Sequence, residues 1–235
     1  MKISVVVPTM NEEQFLPALL DSLGRQRYPL HEIIVADGFS GDRTRQIAVS
    51  RGCRVVDGPG HPGIGRNRGA AAATGETLLF LDSDVLLPAG FLRRLVRAYE
   101  HSGAVAATVT YRPEPDTFAD RLVALGANLA IVVMQRIQPL AAGHCIMMSR
   151  AVFNAIGGFN ESLKAAEDHD LVRRAARHGP FRVFLISLLV STRRYVNRGR
   201  LRLTMQHIRV TLRIFVGKEI TDRDRSVARV TGNWR

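Results

Sequence analysis

Four short runs, "ISVVVP", "EIIVAD", "CRVVDG" and "TLLFLD", are separated by segments whose apolar residues follow a helical period. Alternation of this kind predicts βαβ units and hence a parallel sheet, because parallel strands need a crossover between them. In "NEEQFLPALLDSLG", Leu16, Leu19, Leu20 and Leu23 fall on one helical face, and Gly24 is the expected stop. "DRTRQIAVSRG" and "IGRNRGAAAATG" supply two more crossovers, each closed by a glycine. Further on we expect a helix over 89–101, an apolar strand "AVAATVTY", a proline-containing loop at 112–116, a long apolar helix ending near Gln135, a short helix at "AVFNAIGG", and the stretch "AAEDHDLVRRAARHGP", in which acids precede a helical "LVRRAARHG".

In a parallel sheet ligands bind where the carboxyl ends of the strands open into a crevice. Three of the strand runs end on polar side chains: Thr9 and Asn11, Asp37, then Asp82 and Asp84 around Ser83. Each is also a turn former, and Asn11 with Glu12 suits a helix start. Turn chemistry alone does not explain why several carboxylates reach one rim. Two hard oxygen ligands one residue apart suit Mg²⁺ or Mn²⁺.

Charge divides the chain. Residues 1–170 hold 17 Lys and Arg against 18 Asp and Glu, whereas residues 171–235 hold 16 against 3. We therefore expect an α/β unit over 1–190 and a basic, helical, membrane-surface segment over 191–235. From Arg193 to Lys218 there are eight cations and no acid, interleaved with apolar residues as in a helix lying at an interface. The stretch "LVALGANLAIVVMQ" is bounded by Arg121 and Arg136 and contains Asn128, which suits a buried or interfacial helix better than a span. Cys53 and Cys145 stand beside apolar residues without CxxC spacing, and no secretory pattern opens the sequence, so we expect reduced thiols in a cytosolic setting.

Four stretches in this order, "VVVPTMNEE", "VADGFSGDRT", "GRNRGAAAATGETLLFLDSD" and "EDHDL", resemble the family 2 glycosyltransferases over about residues 1–195. The resemblance implies a GT-A-type α/β fold, doubly wound, with a mostly parallel sheet and helices on both faces. It implies a metal-dependent, inverting transfer of a single sugar from a GDP- or UDP-linked donor; mannose and glucose are candidates, and GDP-mannose, UDP-glucose and UDP-GlcNAc are all open as donors. By the same likeness Asp84 contacts Mg²⁺ or Mn²⁺, Asp82 approaches both the metal and the sugar or ribose, and Ser83 lies between them. Asp37 reads the base, and Pro8, Thr9 and Glu12 frame the nucleoside.

Arg66, in what reads as a glycine-rich loop before a helix, suits the diphosphate. Asp168 matches the catalytic base of the family's ED pair, with Glu167 the alternative; acids at a helix start also complement its positive end. Arg193 and Arg194 in "STRRY" stand where relatives close a cationic or aromatic motif over the diphosphate. The QxxRW pattern of processive synthases is absent. His144 and His169 read as loop histidines rather than metal ligands. The expected acceptor is lipid-linked or membrane-borne, placing the protein peripherally on an anionic, cytoplasmic membrane face.

The sequence leaves two other readings open. A sugar-phosphate nucleotidyltransferase also pairs a parallel sheet with carboxylates and Mg²⁺, but would carry a basic glycine-rich loop where this chain has "PTMNEE". A nucleic-acid-binding module would use the basic segment; few aromatics interleave it, so no nucleic-acid partner is expected.

Overall fold

The computed structural model describes residues 1–141, 143–163 and 165–192. Arg193, Arg194 and the rest of the expected basic helical segment lie outside the described residues. The first half alternates as the sequence predicts: β1 (Ile3–Thr9), α1 (Leu16–Gly24), β2 (Glu32–Asp37), α2 (Thr44–Ser50), β3 (Arg54–Asp57), α3 (Pro62–Ala72) and β4 (Thr77–Leu81). The second half follows as β5 (Val85–Leu86), α4 (Phe91–Ser102), β6 (Ala106–Glu114), α5 (Phe118–Met134), β7 (Cys145–Ser149), α6 (Arg150–Ala155), α7 (Glu167–Ala175) and β8 (Phe181–Ser191).

The strands form one sheet in the order β3-β2-β1-β4-β7-β6-β8-β5. β3, β2, β1 and β4 are mutually parallel, and β6 runs parallel to β8; β7 is antiparallel to both its neighbours, as is β5 to β8. Every residue of β1 and β4 is buried, as expected where helices cover both faces of a parallel sheet. One core lies under α1, α2 and α4 and is filled by Leu16, Leu19, Leu79, Phe91 and Leu95. The other lies under α3, α5, α6 and α7 and is built on Phe80, Ile146, Phe153, Phe159 and Leu171.

β1 sends its connections toward β2 on one side and lies beside β4 on the other, so the strand order reverses between β1 and β4. A crevice opens at the carboxyl ends of two strands where this happens.

Several local expectations change. α1 starts at Leu16, with Pro17 in its first turn, because residues before it are held in a turn: Asn11 has φ 55°, its N–H donates to Ser40 Oγ, and its Oδ1 accepts from Gly41 N–H. The expected loop at 112–116 is in part strand, since β6 continues to Glu114. Beyond Thr108 β6 pairs only with β8, and a proline such as Pro113 is tolerated on an open edge. Gly75 does not end α3, which stops at Ala72. It is small because a Cβ there would lie 2.6 Å from Ser4 Oγ and 2.8 Å from Lys2 O. Gly52, at φ 72°, is the expected left-handed stop after α2. Ser191 closes β8 and the Thr192 N–H donates to Glu114 O, so the α/β unit holds both residues.

Candidate active site

Arg66 is the hub. It is not in a loop before a helix but the fifth residue of α3, and its side chain is buried. The glycines around it serve close packing rather than a phosphate cradle. A Cβ on Gly65 would lie 3.3 Å from Pro8 Cβ, and one on Gly69 would lie 2.4 Å from Val6 Cγ1. α3 therefore sits hard against β1 and carries Arg66 into the crevice between β1 and β4.

There the guanidinium donates to Glu167 Oε1 at 2.9 Å, to Asp82 Oδ1 at 2.7 Å and to Gly143 O at 3.2 Å. Phe159 lies beneath it, 5.3 Å from Cζ to ring centroid. The turn bearing Phe159 is fixed by Asn67, one residue along α3: Asn67 Oδ1 accepts from Phe159 N–H, and Nδ2 donates to Phe159 O and Glu161 Oε1. Gly157 and Gly158 supply the positive φ of that turn, 73° and 70°.

Three segments distant in sequence thus meet on one arginine: the end of β4, the start of α7 and the loop before β7. The antiparallel pairing of β4 with β7 sets Leu81 opposite Cys145 and lets the Asp82 N–H donate to His144 O. Burial opposes the charge on Arg66, but the carboxylates of Asp82, Glu167 and Asp168 more than offset it and hold the guanidinium firmly protonated.

The acids at the head of α7 are not a conventional cap. The residue before the helix is Ala166, at φ 61°, with no side-chain cap bond. Glu167 reaches across to Arg66 instead. Its burial and the neighbouring Asp168 push its proton affinity up against the pull of Arg66. Asp168 Oδ1 accepts from the His169 N–H at 2.8 Å, and its Oδ2 lies over Gly143, where a Cβ would approach to 2.6 Å. His169 Nδ1 accepts from the Ala141 N–H, so it offers no proton to Asp168.

Asp82 keeps 24% of its side-chain surface exposed to the crevice. Ser83 and Asp84 are buried, and the turn they form is locked in place by the Ser191 N–H donating to Asp84 O and by the pairing of β5 with β8. No set of three His, Cys, Asp or Glu side chains that could hold a metal by itself occurs among the described residues.

The other half of the rim lies across β1 and β2, where Thr9 stands opposite Asp37. Asp37 is fully buried and accepts from Thr9 Oγ1, from the N–H and Oγ of Ser40 and from Arg45. Glu12, buried, donates its backbone N–H to Thr44 Oγ1. Pro8 packs under Gly65 and links this half to Arg66. The structure therefore gathers Arg66, Asp82, Glu167 and Asp168 into one cluster and sets Thr9, Glu12 and Asp37 beside it along the same rim.

Two participants have no clear sequence signal. His144 lies edge-on to Tyr111, with ring centroids 4.8 Å apart, and its buried Nε2 has no hydrogen-bond partner among the described residues. Burial holds its pKa down to about 4, despite the opposing charges of Asp82 and Asp168, so the imidazole is neutral. Gly143 is the other; only the closeness of Asp168 explains why it has no side chain.

The model of "Glycosyl transferase family 2" matches residues 4–157. Poly(ribitol-phosphate) beta-N-acetylglucosaminyltransferase TarS of Staphylococcus aureus is 39% identical over 93 residues, 36% of this chain and 16% of that protein. The chain thus spans only a small part of the length of this relative. The mannosyltransferase PcManGT from Pyrobaculum calidifontis, solved with GDP-Man and Mn²⁺, superposes with a TM-score of 0.75 at 21% identity, covering 94% of this chain and 65% of that one. Glucosyl-3-phosphoglycerate synthase from Mycobacterium tuberculosis, solved with Mn²⁺, UDP and phosphoglyceric acid, gives 0.64 at 23% identity, covering 93% and 80%. The fold shared with them is the GT-A type, as the sequence motifs imply.

Proposed function

The chain belongs to glycosyl transferase family 2, and from that premise we propose that it transfers one sugar, mannose or glucose, from a GDP- or UDP-linked donor to a lipid-linked or otherwise membrane-borne acceptor, with inversion. One observation carries the reading: Arg66 joins the carboxylate of the DSD turn to that of the ED pair inside a buried crevice at the strand-order reversal. A nucleotidyltransferase or a nucleic-acid module gives no reason for that union.

The residues present fit a divalent cation. Among the described residues of this cluster, Asp82, Asp84, Glu167 and Asp168 outnumber the cation Arg66, so a diphosphate entering alone meets an excess of negative charge. Asp84 and Asp82 offer oxygen ligands of the kind Mg²⁺ or Mn²⁺ takes when phosphate and water complete its shell. Such a cation, when bound, neutralises charge on the leaving diphosphate. The Mn²⁺ in the two related complexes supports the same choice.

Asp168 serves as the base. Glu167 is committed to Arg66, while Asp168 Oδ2 faces the Gly143 backbone, where no side chain intervenes. Asp168 takes the acceptor hydroxyl proton as that oxygen attacks the anomeric carbon and the bond to the diphosphate breaks. Thr9, Glu12 and Asp37 border the nucleoside. Arg193 and Arg194 close over the diphosphate, and the basic segment holds the enzyme on the cytoplasmic membrane face; both proposals rest on the sequence alone.

A thermal-shift panel of UDP, GDP, CMP and dTDP, with and without Mn²⁺, tests the reading, because a ligand bound only by the native state raises its melting temperature. We expect one diphosphate to stabilise only with Mn²⁺, and Asp84→Ala to lose that response. Stabilisation by a nucleoside triphosphate with pyrophosphate release would replace sugar transfer with nucleotidyl transfer.

A further inference from the structure

The outward face of α5 has no partner among the described residues. Phe118, Leu122, Leu125, Leu129 and Val133 follow a helical period along it and Ile137 continues the line, all more than half exposed. The opposite face is accounted for: Ala124 and Ile131 are buried, and Asn128 bonds both backbone groups of Tyr111. Among the described residues no helix is long and apolar enough to cross a membrane.

We propose that this face seats the protein on the surface of an anionic lipid bilayer, with α5 lying in the plane of the interface. Charge selects this occupant. From Arg121 to Asn160 the sequence contains no acid; Arg121, in the first turn of α5 and paired with Asp116, and Arg136, just past its end, are both exposed, as in helices whose arginines lie at the headgroup level. The eight cations of Arg193 to Lys218 follow directly on Thr192. The Thr192 N–H is bonded to Glu114 O, four residues before α5 begins, so the residue that precedes the cationic sequence is tied close to the start of the same helix.

A second copy fits less well. A 17-residue helix is about 25 Å long and ~10 Å wide. Its face covers roughly 250 Å², well under the ~800 Å² per partner of a stable interface.

The placement of α5 gives this surface a role. β6 runs in the same direction as β4, so Tyr111, near its carboxyl end, and the start of α5 lie at the rim that carries Asp82. Asn128 holds Tyr111, and Tyr111 abuts His144 beside the carboxylates. A bilayer against α5 would lie next to the crevice and deliver a lipid-borne acceptor from the side. Only this consequence rests on the sugar-transfer reading; seating on lipid is measured without it.

The test is flotation of the full chain with phosphatidylglycerol or phosphatidylcholine vesicles, beside the double variant Leu125→Asp, Leu129→Asp. Both positions are exposed, so the variant should melt as the parent does. We expect the parent to float with phosphatidylglycerol vesicles and recovery of the variant to fall at least tenfold. Equal recovery of both, or no recovery of either, overturns the proposal, as would a change from dimer to monomer in sedimentation without any change in flotation. A second measurement uses Leu129→Cys carrying a polarity-sensitive dye, since both native cysteines are buried. Its emission should shift to the blue with phosphatidylglycerol vesicles; an unchanged spectrum rules out contact of this face with lipid.

Discussion

Arg66 shows how much one side chain organises. A buried charge is tolerable only when paired, and removing one partner of such a set leaves the others uncompensated. Arg66 holds Asp82 and Glu167 in fixed positions and leaves Asp168 as the carboxylate free of that clamp. Asp168→Asn keeps the size of the side chain but cannot accept the proton. Turnover should fall by about a hundredfold or more, with donor binding little changed. A comparable loss for Glu167→Gln, with none for Asp168→Asn, would move the base one residue back. Gly143→Ala tests position rather than chemistry. The new methyl would press on Asp168 Oδ2, a movable atom, so the melting temperature should hold while turnover drops roughly tenfold to a hundredfold. Unchanged turnover in that variant would mean that Asp168 does not act from the place it occupies.

At the scale of elements, α3 and α7 face each other across the crevice, and α3 is held there by contact rather than by greasy side chains. Its buried positions include Gly65 and Gly69, which lie against Pro8 and Val6 and bring the helix axis close to β1. Alanine favours a helix over glycine by about 1 kcal/mol, so Gly69→Ala would stabilise an exposed helix. Here the added Cβ meets Val6 Cγ1 at 2.4 Å, and overpacking a tight contact costs about 1–3 kcal/mol. The expected outcome is net destabilisation in urea unfolding, with weaker nucleotide binding as Arg66 is displaced. A gain in stability would show that α3 can lift away from the sheet without loss. β8 has the opposite character. Its run "FRVFLISLLVS" is apolar on both sides, and such a run reads equally as strand or buried helix until its neighbours are known.

For the whole molecule, the end of the sheet away from the crevice is fastened by Glu32, which accepts from Ser4 Oγ and from the N–H and Oγ1 of Thr74. Partial burial works against its charge, but the bonds from Thr74 and Ser4, together with His31, outweigh it and draw its pKa down to about 2. A carboxylate depressed in the folded state stabilises above its ordinary range and loses that contribution as pH falls through the folded value. Stability should therefore decline from about pH 5 toward pH 2. Glu32→Gln should be less stable at neutral pH and respond less steeply to acid; an identical acid profile would remove Glu32 from the account. What the sequence alone determined follows from local rules. Alternating strand and helix periods determined the parallel half of the sheet, and strand ends bearing Thr9, Asp37, Asp82 and Asp84 marked the candidate rim, because side-chain period and turn chemistry are properties of neighbouring residues. Only the tertiary structure decided that Arg66 is a buried clamp rather than a loop cation, that "PTMNEE" ends in a turn before α1, that β8 completes the sheet, and that Gly143 and His144 lie against the Arg66 cluster. Each of these depends on atoms from segments that are not neighbours in sequence, brought together by the pairing of β1 with β2, of β4 with β7 and of β6 with β8 and by the packing of α3 on β1, and no local period or spacing encodes such contacts.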